Sequence, residues 1–160
     1  MATVSSIDRV AQAASTANLP ISILQMPEST RTAQDAANAC GCTVAEIVKS
    51  LVFLGADSDA VILLLVSGDN RVDEAAVASR IGEALARPNG RTVRERTGYA
   101  IGGVPPLGHA SDVAIYIDED LLGFGSVWAA AGTPNSVFSV SPQALKDATG
   151  ARVLKMTGEA

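Results

Sequence analysis

Two apolar runs separated by five turn residues constrain this chain more than any other feature in it. Lys49-Ser50-Leu51-Val52-Phe53-Leu54 is followed by Gly55-Ala56-Asp57-Ser58-Asp59 and then by Ala60 to Val66. Aliphatic and β-branched residues dominate both runs and the turn between them is short and polar, which predicts a β-hairpin. Neither run alternates apolar with polar residues, so the hairpin has to be covered on both faces. The covering material is itself mostly aliphatic. Hydrophobic residues make up 48% of the 160 residues and aromatic ones only 4%, giving a core of Val, Ile, Leu and Ala. A chain of this length is expected to be one domain over residues 1–160 that buries a full core without disulfide or metal staples.

The flanking segments supply the layers. Ser5 and Ser6 precede Ile7, Val10, Ala11 and Ala14 on one helical face, predicting a helix that ends near Asn18, with an extended piece from Ile21 to Met26. Pro27 to Arg31 reads as a polar loop, and Thr32 as the cap of a helix from Ala33 to Cys40, stopped by Gly41. The Thr43/Glu46 capping-box spacing predicts a short helix over Val44 to Val48. Asp73 starts a helix through Ala84, Pro88-Asn89-Gly90 reads as a turn, and Thr92 to Thr97 as a short charged helical turn closed by Gly98. Val113 to Ile117, Val127 to Ala131, Ser136 to Val140 and Arg152 to Leu154 read as strands, and Ser141-Pro142 begins a helix that Gly150 ends. The expected class is α/β: a mixed sheet of about six or seven strands, curled, with helices packed outside.

Composition and motifs remove many functions. The net charge is −5, from 12 basic and 17 acidic residues, which argues against a broad nucleic-acid-binding face and against DNA. Contact with a short single-stranded end needs only one or two cations and stays open. No apolar run reaches membrane length and Met1 to Arg9 carries no leader pattern, so a cytoplasmic location without membrane contact is expected. Cys40 and Cys42, one residue apart, are expected to be free reduced thiols, and the single histidine, His109, cannot complete a zinc site with them. Asp118-Glu119-Asp120 reads as carboxylates at a helix start rather than metal ligands, and no metal or cofactor is expected. Gly-x-Ser-x-Gly, the phosphate-loop motif and the dinucleotide fingerprint are all absent; a Cys42–His109 pair is the one nucleophile arrangement left open.

Gly102-Gly103-Val104-Pro105-Pro106-Leu107-Gly108-His109 belongs to no regular element. Its prolines lack donors and its glycines permit positive φ and close approach of a ligand to the backbone. Taken locally it is a connector; the other reading is a loop that presents shaped backbone. Lys49, at the lip of the first apolar run, has a similar pair of readings: a solvated cation on a flexible stem, or a charge aimed into a site.

Taken together and in order, several motifs carry a resemblance. They are Ile47-Val48-Lys49-Ser50-Leu51-Val52-Phe53, Ser67-Gly68-Asp69 with Arg71-Val72-Asp73, Thr97-Gly98-Tyr99, the Gly102–Gly108 loop, Ile117-Asp118, and Ala130-Ala131-Gly132 before Val137-Phe138. In these the chain resembles the YbaK/prolyl-tRNA-synthetase-associated editing-domain family, from about residue 32 to 153. The resemblance implies a mixed α/β fold with a barrel-like sheet. It also implies a free-standing aminoacyl-tRNA deacylase acting on a mischarged tRNA such as Ala- or Cys-tRNA(Pro), with an aminoacyl-tRNA synthetase as a candidate second partner.

By position, Lys49 matches the family's pocket lysine, Gly102 and Pro106 the ends of its Gly-x-x-x-Pro loop, and Gly132 a later pocket glycine. Some members have a histidine soon after that glycine; here Thr133-Pro134-Asn135 stands instead. The implied chemistry is substrate-assisted hydrolysis. Lys49 holds the terminal phosphate or ribose, and amides of Gly102, Gly103 and Val104 hold the oxyanion, since Pro105 and Pro106 donate nothing. Thr32, His109 and Ser136, with Asp112, are further candidates for the pocket; His109 reads either as a substrate contact or as an exposed loop residue. A non-catalytic module that binds an aminoacylated tRNA end or an amino-acid-like ligand is the alternative function.

Overall fold

The computed structural model describes residues 5–26 and 32–158, so the loop expected at 27–31 lies outside the described residues. The hairpin forms from β2 (Val48–Gly55) and β3 (Val61–Ser67), antiparallel, with Lys49 opposite Val66 and Leu54 opposite Val61. Every residue of β3 is buried. Because side chains alternate along a strand, β3 feeds two cores at once. Leu63 and Leu65 join the main cluster with Val10, Tyr99 and Phe138, while Ile62, Leu64 and Val66 join a second one with Val77 and Met156.

On its other side β3 pairs in parallel with β5 (Val113–Asp118), and β5 in turn with β8 (Arg152–Leu154). The far end of β2 is touched by β4 (Leu85–Ala86), through Leu54 and Gly55 only. These make a five-stranded sheet in the order β4-β2-β3-β5-β8. A second, antiparallel sheet has the order β1-β7-β6, from Ile23–Gln25, Ser136–Val140 and Val127–Ala130. Among the described residues this gives eight strands and five α-helices.

The sheets do not close into a barrel, which corrects the expectation of one curled sheet. Among the described residues the one backbone bridge between them is the parallel pair Ile47 with Trp128. The segment from Tyr99 to Leu107 fills part of the gap, with Tyr99, Val104 and Leu107 buried in the main cluster. From Val48 to Phe53 the outer edge of β2 therefore has no strand partner among the described residues. That opening is where the candidate site lies.

The helices follow their caps. Ser5 Oγ accepts from Asp8 N at 3.1 Å to start α1 (Ser6–Thr16), whose Val10 and Ala14 face the main core. Thr32 Oγ1 accepts from Asp35 N at 3.0 Å to start α2 (Ala33–Cys40). The expected helix over Val44 to Val48 is a 3-10 turn of Val44–Glu46, because Val48 is already committed to β2. α3 spans Glu74–Ile81 and stops short of Ala84: Gly82 closes it, and Leu85 is drawn onto β2. α4 (Gly90–Thr97) begins earlier than expected, since Asn89 Oδ1 caps Thr92 N at 2.8 Å. α5 (Pro142–Thr149) starts at its Ser141-Pro142 signal. Among the described residues no helix is long and apolar enough to cross a membrane.

Candidate functional site

The open edge of β2 forms one wall of a cavity of about 360 Å³. The opposite wall comes from β6 and the start of β7, with Trp128, Ala130 and Val137, and the floor from Ala33 and Ala36 of α2 with Ile47. These walls are almost entirely apolar. Polar groups gather at the rim, where Thr32, Lys49, Ser50 and the backbone at Gly102 and Val104 converge.

Lys49 is half-buried, and its Nζ donates to the carbonyl oxygen of Asn70. Asn70 is itself fixed: its Nδ2 donates to Asp118 Oδ2 at 2.8 Å and to Asp120 Oδ2 at 2.7 Å. Asp118 is fully buried and also accepts from Ser67 N at 3.0 Å, so the turn after β3 is tied to the end of β5. Asp118 also accepts from Asp120 N at 3.0 Å, which makes the acidic cluster a helix start, as its position implied. Burial pushes the Lys49 ammonium below the usual lysine range; Asp118 and Asp69 oppose that shift and Arg71 adds to it.

The Gly/Pro loop presents its backbone to the same rim. Gly102 sits at φ +91°, and a side chain there would meet nothing within 4 Å, so the strain of the conformation alone calls for glycine. Gly103 is a different case. A Cβ there would lie 2.8 Å from Thr133 Cα, so the loop packs backbone to backbone against the turn after β6. The amide of Gly103 donates to Ala100 O at 3.0 Å, which withdraws it from the three donors expected. The amides of Gly102 and Val104 have no acceptor among the described residues.

The loop is braced at both ends. Arg9 lies 4.5 Å from the centroid of the Tyr99 ring and donates to Gly98 O at 2.8 Å, while Tyr99 Oη donates to Gly108 O at 2.8 Å. His109 stands edge-on to Tyr99 with 6.3 Å between centroids, and its Nε2 is 2.7 Å from Pro105 O. It is half-buried, not the exposed loop residue that was one expectation, because Tyr99 and Pro105 enclose it. Burial lowers its pKa, with the Pro105 carbonyl pulling the other way; a neutral ring donating from Nε2 fits that contact.

Of the residues singled out from sequence, the cavity thus brings together Thr32, Lys49, Gly102 and Val104. Gly103, Pro106, His109, Gly132 and Ser136 do not line it. Ser136 Oγ accepts from Thr133 Oγ1 at 2.7 Å, and Gly132 lies against the Ser6 carbonyl of α1. Asp112 is exposed and does not line it either. Cys42 packs with Ala36, Ala37 and Ile47, apart from His109 on Tyr99, so that pair is not assembled. Both cysteines are free, and burial raises the Cys40 thiol to about 11, where it stays protonated. Among the described residues no three His, Cys, Asp or Glu side chains converge as metal ligands.

Sequence reasoning missed Ser50, Ile101 and Trp128. Ser50 carried a signal, as the lone hydroxyl within an apolar run; its Oγ is buried at the rim without a hydrogen-bond partner among the described residues. Trp128 reaches the site through its bridge with Ile47, which no local pattern encodes, and Ile101 through its place beside Gly102.

A family model for the aminoacyl-tRNA editing domain matches residues 27–148. The chain is 33% identical over 131 residues to the uncharacterized protein YwhH of Bacillus subtilis (strain 168), covering 82% of this chain and 83% of that one. It is 31% identical over 96 residues to a proline–tRNA ligase of Limosilactobacillus fermentum (strain NBRC 3956 / LMG 18251), covering 58% of this chain but 17% of the ligase. A solved structure of a proposed trans-editing enzyme for prolyl tRNA synthetase superposes with a TM-score of 0.91 at 43% identity, covering 99% of this chain and 100% of that one. The protein belongs to the aminoacyl-tRNA editing domain family.

Proposed function

We propose that the protein hydrolyses the ester of a mischarged aminoacyl-tRNA in trans, with a small, apolar amino acid such as alanine or cysteine on tRNA(Pro) as its substrate. The observation that carries this reading is one juxtaposition. An anchored ammonium, Lys49, and two unused amides, Gly102 and Val104, share the rim of an apolar cavity.

The chemistry needs little more. An aminoacyl ester is activated already, and the adjacent ribose hydroxyl assists its breakdown. The side chain of the amino acid enters the apolar cavity, and Lys49 holds the phosphate or ribose of the terminal nucleotide. Gly102 and Val104 donate to the carbonyl oxygen as it gains charge, each such preorganised donor lowering the barrier by about 3 kcal/mol. Water supplies the nucleophile; no side chain is acylated. Apolar walls suit a methyl or thiol side chain and leave a hydroxyl or charge without partners. The tRNA acceptor end is the partner this requires, and a synthetase nearby is a further one.

Release of free amino acid from a panel of mischarged tRNAs by the purified protein tests the reading. Turnover is expected on at least one small-residue tRNA. Tight binding of aminoacylated tRNA without release would make the protein a binding module instead.

A further inference from the structure

A second cavity, of about 370 Å³, runs along the same open edge of β2. It shares Lys49, Ser50, Leu51, Ile101, Gly102 and Val104 with the first, so the two meet at one seam. Their linings differ in kind. The first is closed by small apolar residues and Trp128; the second brings in Arg71, Arg87 and Glu74 together with Pro88 and Val93. Glu74 pairs with Arg87 and occupies it. Arg71, in the turn after β3, is exposed and has no hydrogen-bond or ion-pair partner among the described residues. Its charge is nonetheless felt at Lys49. Two cations facing one cavity, one of them unpartnered, repel each other unless an anion lies between them.

The seam also carries a large apolar side chain in water: Ile101 is 62% exposed, beside Gly102. An isolated exposed isoleucine means little, but this one lines both cavities where they meet.

Connectivity of the substrate then assigns the two cavities, an argument that rests on the deacylase reading. The ester carbonyl has to reach the Gly102 amide at the seam. If the amino-acid side chain lies in the apolar cavity, the ribose and everything beyond it must lie on the other side. We infer that the second cavity seats the terminal nucleotide of the tRNA, with Arg71 binding the phosphodiester on the 5′ side of the last nucleoside and Ile101 packing on its base. Arg71 is thus a binding residue of the nucleotide rather than of the amino acid. A guanidinium is suited to this, offering several donors to the phosphate oxygens. The overall acidic balance of the chain is no obstacle, since a single-stranded end needs a few local cations and an apolar face rather than a basic surface.

Two substrates separate the contributions: alanyl-tRNA(Pro), and alanyl-adenosine esterified at the ribose, which lacks the phosphodiester. The ratio of kcat/KM between them is expected to fall about tenfold in Arg71→Gln, as for loss of one charge-assisted hydrogen bond, and to recover in part in Arg71→Lys. An unchanged ratio overturns the assignment. A second measurement is independent of hydrolysis. Cytidylyl-adenosine, titrated by NMR, is expected to shift the Ile101 methyl resonances and to bind more weakly to Arg71→Gln. Binding that depends on Arg71 in a protein that hydrolyses neither ester removes the deacylase reading and leaves this one standing. Hydrolysis with no dinucleotide binding, or with binding indifferent to Arg71, removes this one and leaves the deacylase.

Discussion

β2 and β3 are paired from Val48–Ser67 to Leu54–Val61, yet their surroundings are opposite. β3 has a strand on each side and all its residues are buried, whereas most of β2 is half-buried and its outer edge is open. β3 holds two cores together; β2 lends its edge to two cavities. On the proposed function, the difference places most of the stability and most of the chemistry on adjacent strands of one hairpin, so each is open to perturbation separately.

The sharpest way to break that division is to damage β3. Leu63 is fully buried in the main cluster, and Leu63→Ala is expected to lower stability by about 3 kcal/mol, within the range for such truncations. Denaturant melts report the loss, and kcat per folded molecule should stay at the wild-type value. A fall in kcat to match the fall in stability would show that the strands are not independent.

The converse is Lys49→Ala. It removes a rim contact, so kcat/KM is expected to drop about 100-fold with little change in the melting temperature. Full turnover on every mischarged tRNA would remove Lys49 from the chemistry. The pH profile sharpens this. Because the Lys49 pKa lies below the usual 10.5, mainly through burial, its cation is present at low pH and is lost on the alkaline side earlier than a free lysine would lose it. The alkaline fall in kcat/KM should therefore begin below that value in the wild type and be missing in the variant.

Gly102→Val is expected to strain the loop at φ +91°, costing about 1–3 kcal/mol, and to reduce kcat by displacing the amides. Gly82→Val is its control. Gly82 has φ +102° with open space around it, at the end of α3 and away from the cavity. A similar stability loss with normal kcat there would separate strain from loop shape.

His109→Ala should give the smallest effect, about 1 kcal/mol for one hydrogen bond, with a modest loss of kcat as the loop relaxes. The acid side tests its cause. A histidine whose folded pKa is depressed binds its proton more readily when unfolded, so its neutral state stabilises the fold above 6.5 and this contribution is lost as pH falls below 6.5. Stability measured from neutral to acid pH should show that slope in the wild type and less of it in the variant.

The hairpin, the helix caps and the family resemblance were legible because each is written in contiguous residues. Thr32, Asp73 and Ser141 each cap a helix through a bond to the amide three residues on, whereas Asn89, which caps α4 in the same way, reads in sequence as part of a turn. The two-residue β4 was not legible, since Leu85–Ala86 is a strand only by virtue of pairing with Leu54 and Gly55. The split into two sheets was hidden for a related reason: nothing local says that the contact of Ile47 with Trp128 will not propagate. At the site, Lys49 and Gly102 stand out in the sequence, but not the fact that the Gly103 amide is spent on Ala100. Arg71 stands in one of the motifs that carry the family resemblance, but nothing local gives it a role; its place on the second cavity does.

The unpaired edge of β2 has one more consequence. A run of apolar strand with free backbone groups is a template for pairing with another chain, and proteins guard such edges with charge, covering loops or short length. Here all three guards are present: Lys49 near its start, the Gly102–Val104 loop across the rim, and β4 capping its last two residues. The loop whose amides the proposed mechanism turns to the ester stands where it would also hinder pairing with a second copy of the strand. Variants that loosen it therefore risk self-association as well as lost turnover, and light scattering should register the first even where an activity assay sees only the second.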